Sequence, residues 1–360
     1  MKYRTVQVMA NQAFGVAGTH IEPIRLKDPI TALFFSLQIT VAGGQRLTHF
    51  LSGFTRIEIV DGSDVLLSLS GEQMDGLLSY ETPGKNTQFL TNMPTVQETV
   101  RTAVLFGRYR GDEQFAFDPS RFDNPQLRIT YNGALVEAGA TAVGIEIWAE
   151  VFDEKAIAPV GFFQNREFQR HTPVTGTHAY INLPTDLTIR KLFVQPFLGG
   201  STSSLNMQAT RLDEDNMKRV VFDLPVSIWS TIDRQWHGDV VCSFFMTRTG
   251  AAVPCFIPIT LGEIGWAQSI AGIVAVQITA LAGGQVLLNQ ANNALTIYGR
   301  VIGTSPYQML CYPFGKQDDP DDWYDPTAIG DLRLRIQGGT AVVAGATTRT
   351  ILQQVRRYGA

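Results

Sequence analysis

Five carboxylates crowd into eight residues near the end of this 360-residue chain. At that density they repel one another unless a cation or an arginine joins them. Hard oxygen ligands suit Ca²⁺, although the loop lacks the glycine and the terminal glutamate of an EF-hand. A solvated acidic loop is the alternative interpretation. The candidate calcium ligands are Asp318, Asp319, Asp321, Asp322 and Asp325.

No catalytic constellation accompanies this loop in the sequence. The five histidines include no His-x-His pair, which the metal sites of the two-barrel bicupin enzymes require together with a glutamate. There is no G-x-S-x-G nucleophile elbow, and Asn86 after Gly84-Lys85 breaks the phosphate-loop pattern. The sequence therefore predicts a protein that is not an enzyme and has no cofactor apart from the calcium considered above.

Composition narrows the class further. A net charge of −4 predicts no direct nucleic-acid recognition, since a dedicated binder carries a basic face. Apolar residues make up 44% of the chain and charged residues 17%, as in an ordered protein. The low charge suits a protein packed among neighbours, or a β-rich domain with an uncharged polar surface.

The cysteines indicate the compartment of synthesis. Cys242, Cys255 and Cys311 are few, odd in number and set among apolar residues, which predicts free buried thiols and a reducing environment. We see no signal-peptide pattern and no run of transmembrane length, so we expect synthesis in a cytoplasm.

Strand patterns dominate the elements that must position these residues. Residues 54–60, 127–131, 143–151 and 332–336 alternate apolar and polar side chains, which is typical of strands with one buried face. Helical patterns are few and short, over residues 71–78, 213–219 and 261–268. Because no helix recurs between strands, the sequence predicts an antiparallel all-β sandwich or jelly roll.

One motif occurs twice with nearly the same spacing, and each copy closes one half of the chain. Two such copies predict two tandem domains of one type, because a period near 200 residues is too long for a solenoid. The first copy is Asp118-Pro119, Leu127-Arg128-Ile129 and Ala138-Gly139-Ala140-Thr141, and the second is Asp325-Pro326, Leu334-Arg335-Ile336 and Ala344-Gly345-Ala346-Thr347.

The pattern also predicts domain bounds. Strand signals lapse after residue 153 and resume near residue 179, with polar segments between. We expect an N-terminal arm over 1–20, a first domain over 21–153, a linker over 154–175 and a second domain over 176–358.

The first half carries a resemblance. A long strand over 30–40 and another over 54–62 are followed by the stretch from Val65 to Met74, the Asp118-Pro119 loop and the stretch from Asn124 to Tyr131. This series resembles the double jelly-roll major capsid proteins of tailless icosahedral phages with an internal membrane, the tectivirus and corticovirus type.

The resemblance implies two eight-stranded antiparallel jelly rolls side by side, with a few short helices in loops. It also implies a homotrimer of pseudo-hexagonal outline that tiles an icosahedral virion shell, with penton and minor capsid proteins as further partners. Termini and lower loops would face an internal lipid membrane, where Lys2 and Arg4 would meet anionic headgroups.

Four tryptophans are interface candidates, because aromatic residues are enriched in the centres of contacts between proteins. Burial in the core is the alternative for each of them. A receptor- or carbohydrate-binding β-sandwich, of the spike or lectin kind, is the alternative function, with the acidic loop and its tryptophan as its one candidate site. The four are Trp148, Trp229, Trp236 and Trp323.

Overall fold

A computed structural model describes residues 3–42, 46–82, 87–92, 97–154, 156–197, 203–248, 254–269, 277–289 and 295–359. Strands β1–β9 and helix α1 occupy its first part: β1 Tyr3–Phe14, β2 Ala17–Pro23, β3 Ile30–Val41, β4 Phe54–Asp61, β5 Asp64–Leu69, α1 Gly71–Glu81, β6 Thr87–Asn92, β7 Glu98–Leu105, β8 Pro125–Asn132 and β9 Ala140–Phe152.

The second part contains the remaining strands and two helices. They are β10 Gly161–His171, β11 His178–Leu183, β12 Ile189–Phe197, α2 Ser203–Asn206, β13 Met207–Glu214, β14 Arg219–Pro225, α3 Val226–His237, β15 Val240–Arg248, β16 Pro254–Phe256, β17 Leu261–Ser269, β18 Gln277–Ala282, β19 Gln285–Asn289, β20 Leu295–Thr304, β21 Leu310–Pro313, β22 Leu332–Gly338 and β23 Thr347–Arg357.

The strand order is the same in both halves. In the first half, β1-β9-β3-β7 form one sheet and β2-β8-β4-β5 run side by side in the other. In the second half, β10-β23-β12-β21 and β11-β22-β13-β14 repeat that order strand for strand. All pairs within these four sets are antiparallel. Each half is therefore an eight-stranded jelly roll.

The alternating strands bury one face in the core of their own roll. In β8, Leu127, Ile129 and Tyr131 are buried while Arg128 and Thr130 are half-buried. Strand β22 repeats the pattern. The first roll packs mainly around aromatic and branched side chains such as Phe35 and Phe54, and the second around a separate cluster. The predicted pair of eight-stranded rolls is confirmed.

Helix α1 confirms the helix predicted over 71–78. Ser70 caps it, because its hydroxyl accepts from the Gln73 backbone N–H while the Gln73 side chain accepts from Ser70 N. Helix α3 follows β14 as α1 follows β5, and the sequence analysis missed it. Within the described residues, no helix is long and apolar enough to cross a membrane.

Two predicted helices are wrong. Residues 213–219 comprise the end of β13, the turn over 215–218 and the start of β14, and Asp215, Asn216 and Met217 have left-handed backbone angles that Asp and Asn tolerate. Residues 261–268 lie in β17, which pairs with β20. In both places long-range strand pairing overrides the local pattern.

Strands lie within the ranges predicted as arm and linker. Residues 3–14 form β1, which pairs with β9 along its length. Its side chains are mostly exposed, so it lacks the alternation of a half-buried strand. Residues 161–171 form β10, the first strand of the second roll. Its polar residues Gln164 and Asn165 are buried against the first roll, which gives a strand the composition of a linker.

A third β unit lies between α3 and β21. Strands β17-β20-β15-β6 form one sheet and β16-β19-β18 another, and β6 reaches them from the first roll. The unit has its own buried cluster, which includes Cys242, Phe244 and Cys255. All three cysteines are buried and free, as predicted.

Candidate functional site

The contact between the two rolls, a seam formed by β5 and β10, fixes the shape that the molecule presents to neighbours. Strands β5 and β10 run parallel across it, with Arg166 paired to Ser68, so that one sheet of each roll joins into an eight-stranded sheet. The Gln164 side-chain amide donates to Val65 O at 2.6 Å. Arg356 makes an ion pair with Asp64 through two hydrogen bonds. The two rolls thus pack against each other as one block and are not joined by a linker alone.

A buried charge cluster reinforces this seam. The Glu81 side chain at the end of α1 is 5% exposed, and it accepts hydrogen bonds from Arg190 Nη1 at 2.8 Å and from Lys191 Nζ at 2.9 Å. Burial raises the pKa of this carboxyl, but the charges of Arg190 and Lys191 outweigh it and lower the pKa to about 2. Since both cations begin β12, this ion cluster ties a helix of the first roll to a sheet of the second.

The four candidate tryptophans separate by exposure. Trp148 is half-buried on β9, with Gln7 and Phe34 opposite on the neighbouring strands. Trp236, near the end of α3, is 60% exposed. Both present surface that a neighbour could cover.

The other two tryptophans are core residues. Trp229 stacks on the ring of Tyr312 with centroids 4.7 Å apart. Trp323 packs between Phe115 and Phe163, and its indole N–H donates to Lys316 O at 2.9 Å. Core burial, the stated alternative, applies to this pair.

In the acidic loop, three carboxylates each accept a hydrogen bond from a different backbone N–H group. Asp322 accepts from Lys316 N at 2.7 Å, Asp319 from Asp321 N at 3.2 Å, and Asp325 from Thr327 N at 3.0 Å. These bonds shape the turn. Across the described residues, no three His, Cys, Asp or Glu side chains gather where a metal ion would fit.

The structure describes one of the two N-terminal cations. Lys2 lies outside the described residues. Arg4 pairs with Asp28 at 2.6 Å and lies 3.7 Å from Asp153. Two carboxylates therefore offset the charge of Arg4.

One exposed aromatic pair escaped the sequence analysis. Trp266 on β17 is 46% exposed, and its ring lies 5.5 Å from that of Tyr298 on β20. Ile264 on the same edge strand is 67% exposed. Residues 264–268 alternate exposed and half-buried side chains, which is typical of a strand and not of the helix predicted over 261–268.

Strand order and the joined seam together define a double jelly roll. The solved structures that share this fold include the major capsid protein of Sulfolobus turreted icosahedral virus, with 10% identity, a TM-score of 0.65, and coverage of 99% of this chain and 98% of that one. The major capsid protein P2 of bacteriophage PM2 matches with 9% identity, a TM-score of 0.55 and 99% of each chain covered.

A third similar structure is the capsid of the virus PBCV-1, with 10% identity, a TM-score of 0.58, and coverage of 98% of this chain and 93% of that one. No protein-family model matches the sequence, and no curated protein matches it. The chain therefore has the fold of the double jelly-roll major capsid proteins over nearly its whole length.

Proposed function

We propose that this protein is a viral major capsid protein, which assembles as a homotrimer of pseudo-hexagonal outline and tiles an icosahedral shell. The observation that carries the proposal is the repetition of one strand order in two rolls joined side by side. Three such blocks around an axis offer six similar walls, which suits a hexagonal lattice. The likeness to viral capsid proteins over nearly the full length supports the same role.

Assembly state tests this function directly. Native mass spectrometry of the full chain should give a trimer, and negative-stain images should show a hexagonal outline. A protein that stays monomeric at all concentrations up to those of shell assembly would overturn the proposal.

The proposal extends to the virion. The shell would lie over an internal membrane, with penton and minor capsid proteins completing it, after synthesis in the host cytoplasm. Lys2 and Arg4 would face the lipid, where a basic charge adds about 1 kcal/mol near an anionic surface, and Arg4 would add less because Asp28 and Asp153 offset its charge. Arg4→Gln tests this role. A deletion of residues 1–10 is unsuitable because it would remove most of β1. Unchanged flotation of the assembled protein with anionic vesicles would refute a role for Arg4.

Calcium remains a prediction for the acidic loop. Calorimetric titration of the assembled protein with Ca²⁺ tests it, and a flat titration would end the idea. In an assembly, carboxylates from a neighbouring copy would join those of Asp318 and Asp321, whose carboxylates accept no hydrogen bond from the described residues.

A receptor- or carbohydrate-binding role is the second candidate, and one observation favours it. The exposed Trp266 lies edge-on to the half-buried Tyr298, and Arg300 on β20 is opposite Trp266. Exposed aromatic faces with a polar partner mark recognition surfaces. A glycan array tests this role, and loss of a bound glycan in Trp266→Ala would locate it.

A further inference from the structure

A cavity of about 500 Å³ lies in the seam between the rolls, with a charged floor and a partly apolar rim. It lies toward the end of the molecule that carries both termini, because β12 starts at that end of its sheet, as β1 does, and β23 finishes there. Its size falls in the range of small-molecule sites. Its lining includes Tyr80, Glu81, Arg190, Lys191, Trp236 and His237.

The floor holds two cations against one carboxylate. Arg190 is 3% exposed and Lys191 2%, and both pair with Glu81. Arg190 Nη1 also donates to Gln353, and its Nε donates to Gln317 O. Within the described residues these two buried cations have a single carboxylate in contact, which leaves one positive charge without a counterion and is costly in a poorly solvated place.

Donor capacity remains at that floor. Among the described residues, Arg190 Nη2 has no acceptor within hydrogen-bonding distance. Lys191 Nζ donates to Glu81 and, at 3.4 Å, to Tyr80 O, which leaves one of its three hydrogens unassigned. These donors belong to side chains more than nine-tenths buried, at the base of an open cavity.

His237 adds an oriented group to the wall. Its Nδ1 lies 2.9 Å from Asp233 Oδ1, and the Tyr80 hydroxyl lies 3.0 Å from Asp233 Oδ2. Within the described residues, Nε2 of His237 has no partner. Asp233 makes no ion pair with Arg190 or Lys191 in that part of the chain, so the carboxylates facing the cavity are Glu81 and the exposed Asp318.

The rim is apolar on one side. Trp236 is 60% exposed beside the cavity, and Pro313 lies on the same lining. A ligand would thus meet an aromatic face at the entrance and cations at the base. Arg and Lys side by side recognise phosphate through charge-assisted hydrogen bonds.

We propose that this cavity binds a phosphate group, with Arg190 Nη2 and Lys191 Nζ as its donors, and that Trp236 contacts the apolar part of the molecule that carries it. Two sources share this chemistry: the headgroup of an anionic phospholipid, and free phosphate. A lipid headgroup enters the cavity ahead of the acyl chains and leaves the apolar part of the molecule at the rim, which fits a tryptophan there.

The experiment measures binding of two probes to the full chain: inorganic phosphate by calorimetry, and phosphatidylglycerol vesicles by flotation, with phosphatidylcholine vesicles as the neutral comparison. Lys191→Met should weaken phosphate binding about tenfold or more, the loss of one charge-assisted bond. Trp236→Ala should weaken flotation with phosphatidylglycerol and leave phosphate affinity unchanged. Tyr180→Ala, at an aromatic residue of β11 that is also 60% exposed and does not line the cavity, is the matched control and should change neither.

The outcomes separate the sources. Binding of both probes, with phosphate competing against vesicles, identifies a lipid headgroup. Phosphate binding without flotation identifies free phosphate. If neither probe binds the folded protein, or if Trp236→Ala and Lys191→Met bind as the parent does while circular dichroism shows both folded, the proposal is overturned. Trimer formation is scored on the same samples, so failure here is distinct from failure of the capsid function.

Discussion

Asp118 and Asp325 make the same two hydrogen bonds in the two halves of the chain. Asp118 Oδ1 accepts from Ser120 N at 3.1 Å and from the Ser120 hydroxyl at 2.6 Å. Asp325 Oδ1 accepts from Thr327 N at 3.0 Å and from the Thr327 hydroxyl at 2.8 Å. In each half a proline follows the aspartate, and this turn precedes the strand that carries Leu-Arg-Ile. The repeated Asp-Pro is therefore a structural turn reused at equivalent places.

Replacing Asp325 with alanine should lower the free energy of unfolding by about 1 kcal/mol, the usual cost of losing such a side-chain cap. Both hydrogen bonds end on one oxygen, so Asp325→Asn should retain most of the stability. Chemical denaturation of the three proteins measures the differences. Asp321→Ala is the control in the same loop, because the Asp321 carboxylate accepts no hydrogen bond from the described residues. Equal losses in Asp325→Ala and Asp321→Ala would contradict this account.

The second shared feature is the glycine before the last strand of each roll. Gly139 has φ 84° and Gly345 φ 87°, so each turn needs a left-handed residue. Gly345→Ala should cost about 1–2 kcal/mol from backbone strain alone, because no atom of the described residues lies within 4 Å of the added Cβ. Gly15→Ala also has open space but no left-handed φ, and it should be neutral. Thermal unfolding distinguishes strain from crowding, and a neutral Gly345→Ala would contradict the strain.

The acid–base behaviour of Asp75 gives a third prediction. Burial raises the pKa of this helix α1 carboxyl to about 6, although a hydrogen bond from the Tyr307 hydroxyl opposes the shift. The unfolded chain ionises near 3.8, so stability should fall as the pH rises from about 4 to about 6 and then level off. The loss is on the order of 3 kcal/mol.

Asp75→Asn keeps the shape and removes the ionisation. Its melting temperature should exceed that of the parent at pH 7, and the difference should shrink as the pH falls toward 4. Asp186→Asn, at an exposed position, should show no such trend. A pH profile of stability that is parallel in parent and Asp75→Asn would sink this prediction.

The sequence predicted the two rolls because the repeated segments are half-buried strands with a clean alternation. Leu127 and Ile129 face one core, and Leu334 and Ile336 face the other. The two copies of the repeated segment have the same buried positions and the same left-handed glycine. Because these positions need the same residue types, the duplication is visible in the sequence. The free buried cysteines were predictable because their neighbours in the sequence are apolar.

The segments predicted as arm and linker lack that alternation. Strand β1 is mostly exposed at the edge of its sheet, so no buried face selects its residues. Strand β10 buries Gln164 and Asn165 in the seam, where a sequence pattern expects apolar residues. The seam cavity depends on Glu81, Arg190 and Trp236 meeting from separate parts of the chain, which no local spacing encodes. Helix α3 lacks a side-chain cap, since Pro225 precedes it.

The seam itself yields a fourth prediction. Glu81→Gln removes the carboxylate that, within the part of the chain the structure describes, pairs with both Arg190 and Lys191, which remain buried. Breaking a buried ion pair from one side costs about 3–5 kcal/mol, because the remaining charges have no partner. Asp28→Asn breaks the exposed pair with Arg4 and should cost no more than about 1 kcal/mol. Denaturation of both variants at pH 7 measures the contrast, and similar small losses would contradict it.

The same carboxyl predicts a specific acid sensitivity. Since the pKa of Glu81 is lowered to about 2 from 4.5, its contribution is complete above about pH 4.5 and is lost as the pH falls toward 2. The parent should therefore lose more stability than Glu81→Gln between pH 5 and pH 3, so that the two curves approach each other in acid.

Because Glu81 joins α1 of the first roll to β12 of the second, hydrogen exchange in the variant should rise first at these two elements. Exchange that rises evenly over both rolls would show that the ion cluster stabilises each core rather than the seam.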